Sequence, residues 1–281
     1  MTGLQIPILF FWGVLLTGWL VLPAFFARKS YQQSVSRVPV WAAIAALEIT
    51  SLYFETAFLL SFVYSLAVCV FFLEILVKSL DRAAVVAGFV TGAILSAAAL
   101  VCSEVLVALT SLSVSVLLQP YRPNRYFFFA SGLAIVPIVT PFAVTIQDAT
   151  LLPLLIVFLT LVHAADISAG FSGKLGGHRP FPVLSPNKTS AGLLGSFVFV
   201  CSLAVLLFSF VDVGFLAAFS VGTTLVLTSV CGDLVGSKIK RVLLLKDFSR
   251  ALGVHGGFGD RLDSLTMSAP LIAYFLATRS I

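Results

Sequence analysis

Charges vanish from this sequence for long stretches, and that constrains it more than anything else. From Gln5 to Ala27 there is no charged residue, and similar apolar runs recur down the chain. A helix crossing the hydrocarbon core of a bilayer needs about 20 apolar residues. Segments that meet or approach this are 5–27, 39–54, 56–78, 83–102, 104–119, 126–146, 150–170, 190–211, 213–232 and 264–279. Only 10% of the 281 residues are charged and 59% are hydrophobic, whereas soluble domains carry about 25% charge. So apolar a chain cannot bury its surface in one aqueous core. The expected fold is all-α: a polytopic membrane helix bundle of about nine or ten transmembrane helices.

The run 5–27 has no basic residue before it and is too long for the apolar core of a signal peptide, so it reads as a retained first span. The four cysteines, Cys69, Cys102, Cys201 and Cys231, show no metal-ligand spacing and read as small buried apolar residues. The formal net charge of +5 does not point to nucleic acid, because the bases sit in short connections between the apolar runs. Arg28, Lys29 and Arg37 share one connection, Lys78 and Arg82 the next, and Arg122 and Arg125 a third. Lys174, Arg179 and Lys188 occupy a fourth, and Lys238 to Arg261 a fifth. The intervening connections, near Glu55, Glu104, Asp148 and Asp212, carry acids. With ten spans every basic loop falls on one side, which the positive-inside rule makes cytoplasmic. Arg279 alone lies on the other face.

Two connections are too long and polar to be simple links. One runs from Gly170 to Thr189 and is rich in glycine and proline; the other runs from about Gly232 to Ser264. In the second, Asp233, Asp247, Asp260 and Asp263 are interleaved with Lys238, Lys240, Arg241, Lys246, Arg250 and Arg261. Carboxylates among many cations suit a site shared by a divalent metal and phosphates: Asp oxygens hold Mg²⁺, and Lys and Arg neutralise phosphoryl oxygens. Asp260 and Asp263 face the same way on one helical turn. Gly256 and Gly257, after His255, allow a close backbone approach to a phosphate. A solvated, lipid-facing basic loop would explain the bases but not the acids, nor Asp233 at the end of an apolar span.

The stretch Ser237-Lys-Ile-Lys240-Arg241, then Lys246-Asp247, then His255-Gly256-Gly257-Phe-Gly-Asp260-Arg261-Leu-Asp263 resembles the signature of the phosphatidate cytidylyltransferase (CDP-diacylglycerol synthase) family. Gly232-Asp233-Leu234 resembles the element preceding that signature. Ser185-Pro186-Asn187-Lys188-Thr189 resembles a second family loop, and Asp166 through Gly173 a helix end of the family. The resemblance covers roughly residues 120–281. It implies a division into N-terminal membrane helices of unassigned role (1–120) and a catalytic membrane domain (121–281) carrying cytoplasmic loops 171–189 and 233–263. The chain departs from the pattern at Ile167, Gly170, Asn187, Ser190 and Ala191, positions that flank the nucleotide or lipid pocket.

The resemblance implies transfer of CMP from CTP to phosphatidic acid, releasing pyrophosphate in phospholipid biosynthesis. Asp233 and Asp260 are then the first metal ligands and Asp263 the next, with Mg²⁺ as cofactor. A second, monovalent cation stays open. Lys240, Arg241 and His255 are expected beside Asp233 and Asp260 in catalysis. Ser185, Lys188, Thr189, Ser237, Lys246, Asp247, Gly256, Gly257, Arg261 and Asp166 are expected to bind substrate. Ser237 reads equally as the cap of a following helix. The expected partners are CTP, phosphatidic acid and membrane lipids, not nucleic acid, and a homodimer is left open. The expected location is the bacterial inner membrane, with the site facing the cytoplasm. A CTP-dependent lipid kinase, an enzyme cytidylylating another lipid phosphate, a transporter and an inactive membrane scaffold are the alternatives. Glu48, Glu55 and Glu74 receive no role from the sequence.

Overall fold

The structure, a computed structural model, describes residues 7–8, 11–13, 38–176, 188–253 and 256–279. Most of the first expected span lies outside the described residues, as do Ser185, Asn187 and His255. Among the described residues the long elements are all helices: α1 (Val38–Tyr53), α2 (Ala57–Lys78), α3 (Arg82–Ala99), α4 (Glu104–Leu118), α5 (Arg125–Ile135), α6 (Thr140–Gln147), α7 (Leu152–Leu175), α8 (Ser190–Ser209), α9 (Phe215–Val242), the short α10 (Gly259–Leu262) and α11 (Leu265–Thr278). Six helical runs are long and apolar enough to cross a membrane: α2, α3, α5 with α6, α7 with its preceding turn, α8 and α9. Three apolar helices are shorter, α1, α4 and α11.

Local chemistry sets the helix starts. The side chains of Asp81, Asn124 and Thr189 accept from the backbone N–H groups of Ala84, Phe127 and Gly192 at 3.0, 2.7 and 3.0 Å, satisfying donors that the first turn leaves free. The expected span 126–146 is two helices joined by a 3₁₀ turn at Val136–Val139. Pro137 and Pro141 lack the N–H groups that a continuous helix would use there. The α5–α6 run and α7 form the most enclosed part of the bundle. Phe127, Phe128, Phe142 and Phe158 are buried there. The outer helices turn large apolar side chains outward, among them Phe58, Phe62, Leu66 and Leu73 on α2, as helices facing lipid do.

Two boundaries differ from the sequence reading. The span expected to stop at residue 232 continues as α9 to Val242. The polar residues after Gly232 therefore begin as helix, and the loop proper starts after Val242. Likewise α7 runs on to Leu175, beyond its expected end at 170, and shortens the first long loop. In both cases helix packing carries the backbone past the change in polarity. Ser237 lies inside α9 and caps no helix. Cys69 and Cys102 are exposed and Cys231 is half-buried; only Cys201 is buried as expected.

The C-terminal ends of α2, α4, α7 and α9 gather with the start of α8 at one end of the bundle. Lys238 of α9 donates to the carbonyls of Leu117 and Gln119 at the end of α4, where a cation offsets the helix dipole. At another loop, after α6, Asp148 pairs with Arg279 at 2.5 Å.

Candidate active site

Two close approaches build the site. At Gly232 an added Cβ would lie 2.5 Å from the carbonyl oxygen of Asp263, and at Gly236 it would lie 2.5 Å from the Asp263 Cβ. Only glycines let α9 run so near the turn between α10 and α11. Asp233 and Lys240, on that part of α9, are thereby brought to Asp260 and Asp263. Lys240 Nζ lies 2.7 Å from Asp260 Oδ1 and 3.5 Å from Asp263 Oδ2, as expected for two acids sharing one face. From the start of α8, Lys188 pairs with Asp233. The carboxyl groups of Asp233 and Asp263 are close enough to act electrostatically on each other, and Asp166 of α7 acts in the same way on Lys188 and Asp263.

These charges perturb one another strongly. Burial alone would depress the Lys188 ammonium, but Asp233, Asp166 and Asp263 outweigh it and hold its pKa above the ordinary lysine range. Burial, then the facing Asp233 carboxylate, pushes the Asp263 carboxyl well above the usual range, against the pull of Lys240. Two acids this close and this enclosed need a proton or a cation between them.

Asp260 is used differently. Its Oδ2 accepts from the backbone N–H groups of Phe248 and Gly257 at 2.9 and 2.8 Å, while Oδ1 holds Lys240. Gly256 adopts φ +80°, and a Cβ there would meet Asp260 Oδ2 at 2.5 Å. The glycine pair thus admits the Asp260 carboxylate and, at Gly257, the Glu74 carboxylate, 2.3 Å from a built Cβ.

Of the other residues expected at the site, Thr189 caps α8, and Ser237 is half-buried within α9. Arg261 sits 5.9 Å over the Trp41 ring, with its Nε buried and unpartnered. Arg241, Lys246 and Asp247 are exposed at the margin. Sequence reasoning gave Glu74 no part, yet it accepts from Ser249 Oγ, Phe258 N and Gly259 N at 2.6, 3.1 and 2.9 Å. The available signal was an acid in an otherwise apolar span, which flags a residue without naming its partner.

Among the described residues no three His, Cys, Asp or Glu side chains are arranged to hold a metal ion. The donor set still suits Mg²⁺, which dehydrates reluctantly and is commonly held by one or two carboxylates plus substrate phosphates rather than by an all-protein cage. Asp233 and Asp263 are such a pair.

The model of the Cytidylyltransferase family matches residues 3–279. The chain belongs to this family. Among cytidylyltransferase relatives, the phosphatidate cytidylyltransferase of Aquifex aeolicus is 40% identical over 118 residues, 42% of this chain and 44% of that protein. The phosphatidate cytidylyltransferase of Helicobacter pylori is 42% identical over 126 residues, 42% of this chain and 46% of that one. The uncharacterized protein YnbB of Escherichia coli is 35% identical over 133 residues, 47% of this chain and 44% of YnbB. The matched stretch spans less than half the length of each of these relatives. No solved structure matches the chain.

Proposed function

We propose that this cytidylyltransferase-family chain is an integral membrane enzyme that transfers CMP from CTP to phosphatidic acid, giving CDP-diacylglycerol and pyrophosphate. The observation that carries the reading is the meeting of Asp166, Lys188, Asp233, Lys240, Asp260 and Asp263 at one end of an apolar helix bundle. Similarity to the phosphatidate cytidylyltransferases of Aquifex aeolicus and Helicobacter pylori supports the same acceptor. The six long and three shorter apolar helices among the described residues, with the basic loops, support a reading of nine or ten spans with the site facing the cytoplasm of a bacterial inner membrane.

In the reaction, an oxygen of the lipid phosphate attacks the α-phosphorus of CTP. The bond from that phosphorus to the bridging oxygen breaks, and pyrophosphate leaves with the bond's electrons. The chain has little covalent work to do, so its contribution is positioning and charge neutralisation. Asp233 and Asp263 would hold Mg²⁺, which would supply positive charge to offset that of the phosphate oxygens. Lys188 and Lys240, paired with acids here, are placed to exchange those partners for phosphate oxygens. Asp260 keeps Lys240 and the glycine turn in place.

Labelled CTP tests the reading. With phosphatidic acid in detergent or vesicles, label from the α-phosphate should enter the lipid, and label from the γ-phosphate should leave as pyrophosphate. Incorporation of γ-label instead would identify a lipid kinase and overturn the proposal. Replacing Asp260 by Asn should abolish transfer while leaving the protein folded.

A further inference from the structure

α2 belongs to the N-terminal region that the sequence leaves without a role, but one of its faces lies on the loop leading into α10. Phe71, Glu74 and Lys78 follow one another at helical spacing on that face. Phe71 meets Phe248 edge to face at 4.9 Å between ring centroids, and both rings are fully buried. Lys78 donates to the carbonyl oxygen of Phe248. Glu74 accepts from Ser249 Oγ, Phe258 N and Gly259 N. From the other side Asp260 accepts from Phe248 N and Gly257 N. The loop is therefore gripped at its first and last residues by two carboxylates. One comes from the site itself and the other from a helix more than 170 positions earlier in the chain.

We propose that Glu74, supported by Lys78, is a positioning residue for cytidylyl transfer. It touches no reacting group. It fixes Ser249, Phe258 and Gly259, beside the Phe248 and Gly257 amides that hold Asp260, on which the place of Lys240 depends. The inference rests on the transfer reaction proposed above for its effect on rate, but the clamp itself is a property of the fold. Loop ends bonded this way have little freedom, and a shift of about 1 Å at a reacting centre can cost on the order of 100-fold in rate.

Glu74→Gln is the sharpest probe, because it keeps the shape but sets an amide N–H₂ against donors that need an acceptor. The expected result is a fall of about 10- to 100-fold in kcat per folded molecule. Amide hydrogen exchange should quicken across Phe248–Gly259 and stay unchanged in α7 and α8. Ser249→Ala removes one of the three bonds and should give a smaller loss. In the double variant the two losses should not multiply, since both act through one contact. If folded Glu74→Gln keeps wild-type kcat and wild-type exchange in the loop, the proposal is overturned. Losses that multiply in the double variant would overturn it too. Should the wild-type chain transfer no CMP, the transfer reading falls, while faster exchange confined to the loop in Glu74→Gln still supports the clamp.

Discussion

Asp260 and Asp263 look equivalent in the sequence, three residues apart and expected to share a face, and Lys240 does bridge them. Their surroundings separate them. Asp260 has both oxygens committed to Lys240 and two backbone N–H groups, whereas Asp263 is enclosed beside Asp233 with its pKa pushed up. Asp263→Asn should therefore have opposite effects on stability and activity. Relief of the like-charge contact should raise the melting temperature of the metal-free protein, by roughly 2–4 °C for each kcal/mol relieved. Turnover should fall by at least about 100-fold, the scale of losing one charge-stabilising group. Wild-type protein should gain thermal stability when Mg²⁺ and CTP are added, and the Asp263→Asn variant should gain much less. Thermal unfolding with and without these ligands checks both points. If Asp263→Asn proves less stable than wild type without metal, Asp263 contributes structure rather than strain.

At the scale of elements, the helices were legible because lipid leaves a length and a composition that sequence displays directly. The Asp and Lys spacing within the signature was legible for a similar reason: one helical turn is local information. Helix ends were less so. α9 continues to Val242 through charged residues because its Gly232 fits against the Asp263–Ser264 backbone and its Gly236 against the Asp263 side chain, and that fit depends on a segment folded elsewhere. Glu74 was the least legible, since no local pattern ties α2 to a loop so distant in sequence. The α9 contact is testable. Gly236→Ala sets a methyl group 2.5 Å from the Asp263 Cβ and must push the two segments apart. Overpacking of this kind costs typically about 1–3 kcal/mol, and the displacement of Asp263 from Asp233 should lower turnover more than about ten-fold. Gly214→Ala, at a position with open space around its Cβ, serves as the control with near wild-type turnover. Equal activities in the two variants would show that the close approach of α9 does not set the site.

At the scale of the whole molecule, buried charge is not confined to the proposed chemistry. Among α1, α2 and α7, Glu48 is completely buried. Glu48 Oε1 lies 3.2 Å from His163 Nε2, Tyr64 OH lies 3.2 Å from the same nitrogen, and Thr160 Oγ1 donates to Glu48 Oε2 at 3.5 Å. Trp12 and Trp41 flank the imidazole at 6.3 and 5.5 Å between ring centroids. An acid enclosed by apolar helices and aromatic rings has no water to solvate it, so its partners carry the whole burden. Removing one member leaves the other stranded. His163→Ala should destabilise the protein by about 3–5 kcal/mol, the range for breaking a buried pair. Replacing both members with apolar residues of similar size removes the need for either, so Glu48→Leu combined with His163→Phe should recover most of that loss. Unfolding of the wild type, the two single variants and the double variant in detergent measures the coupling directly. A double variant as unstable as the sum of its singles would mean that the pair is not the device joining α1 to α7. Recovery of stability would show that Glu48 and His163 are energetically coupled across the contact between α1 and α7.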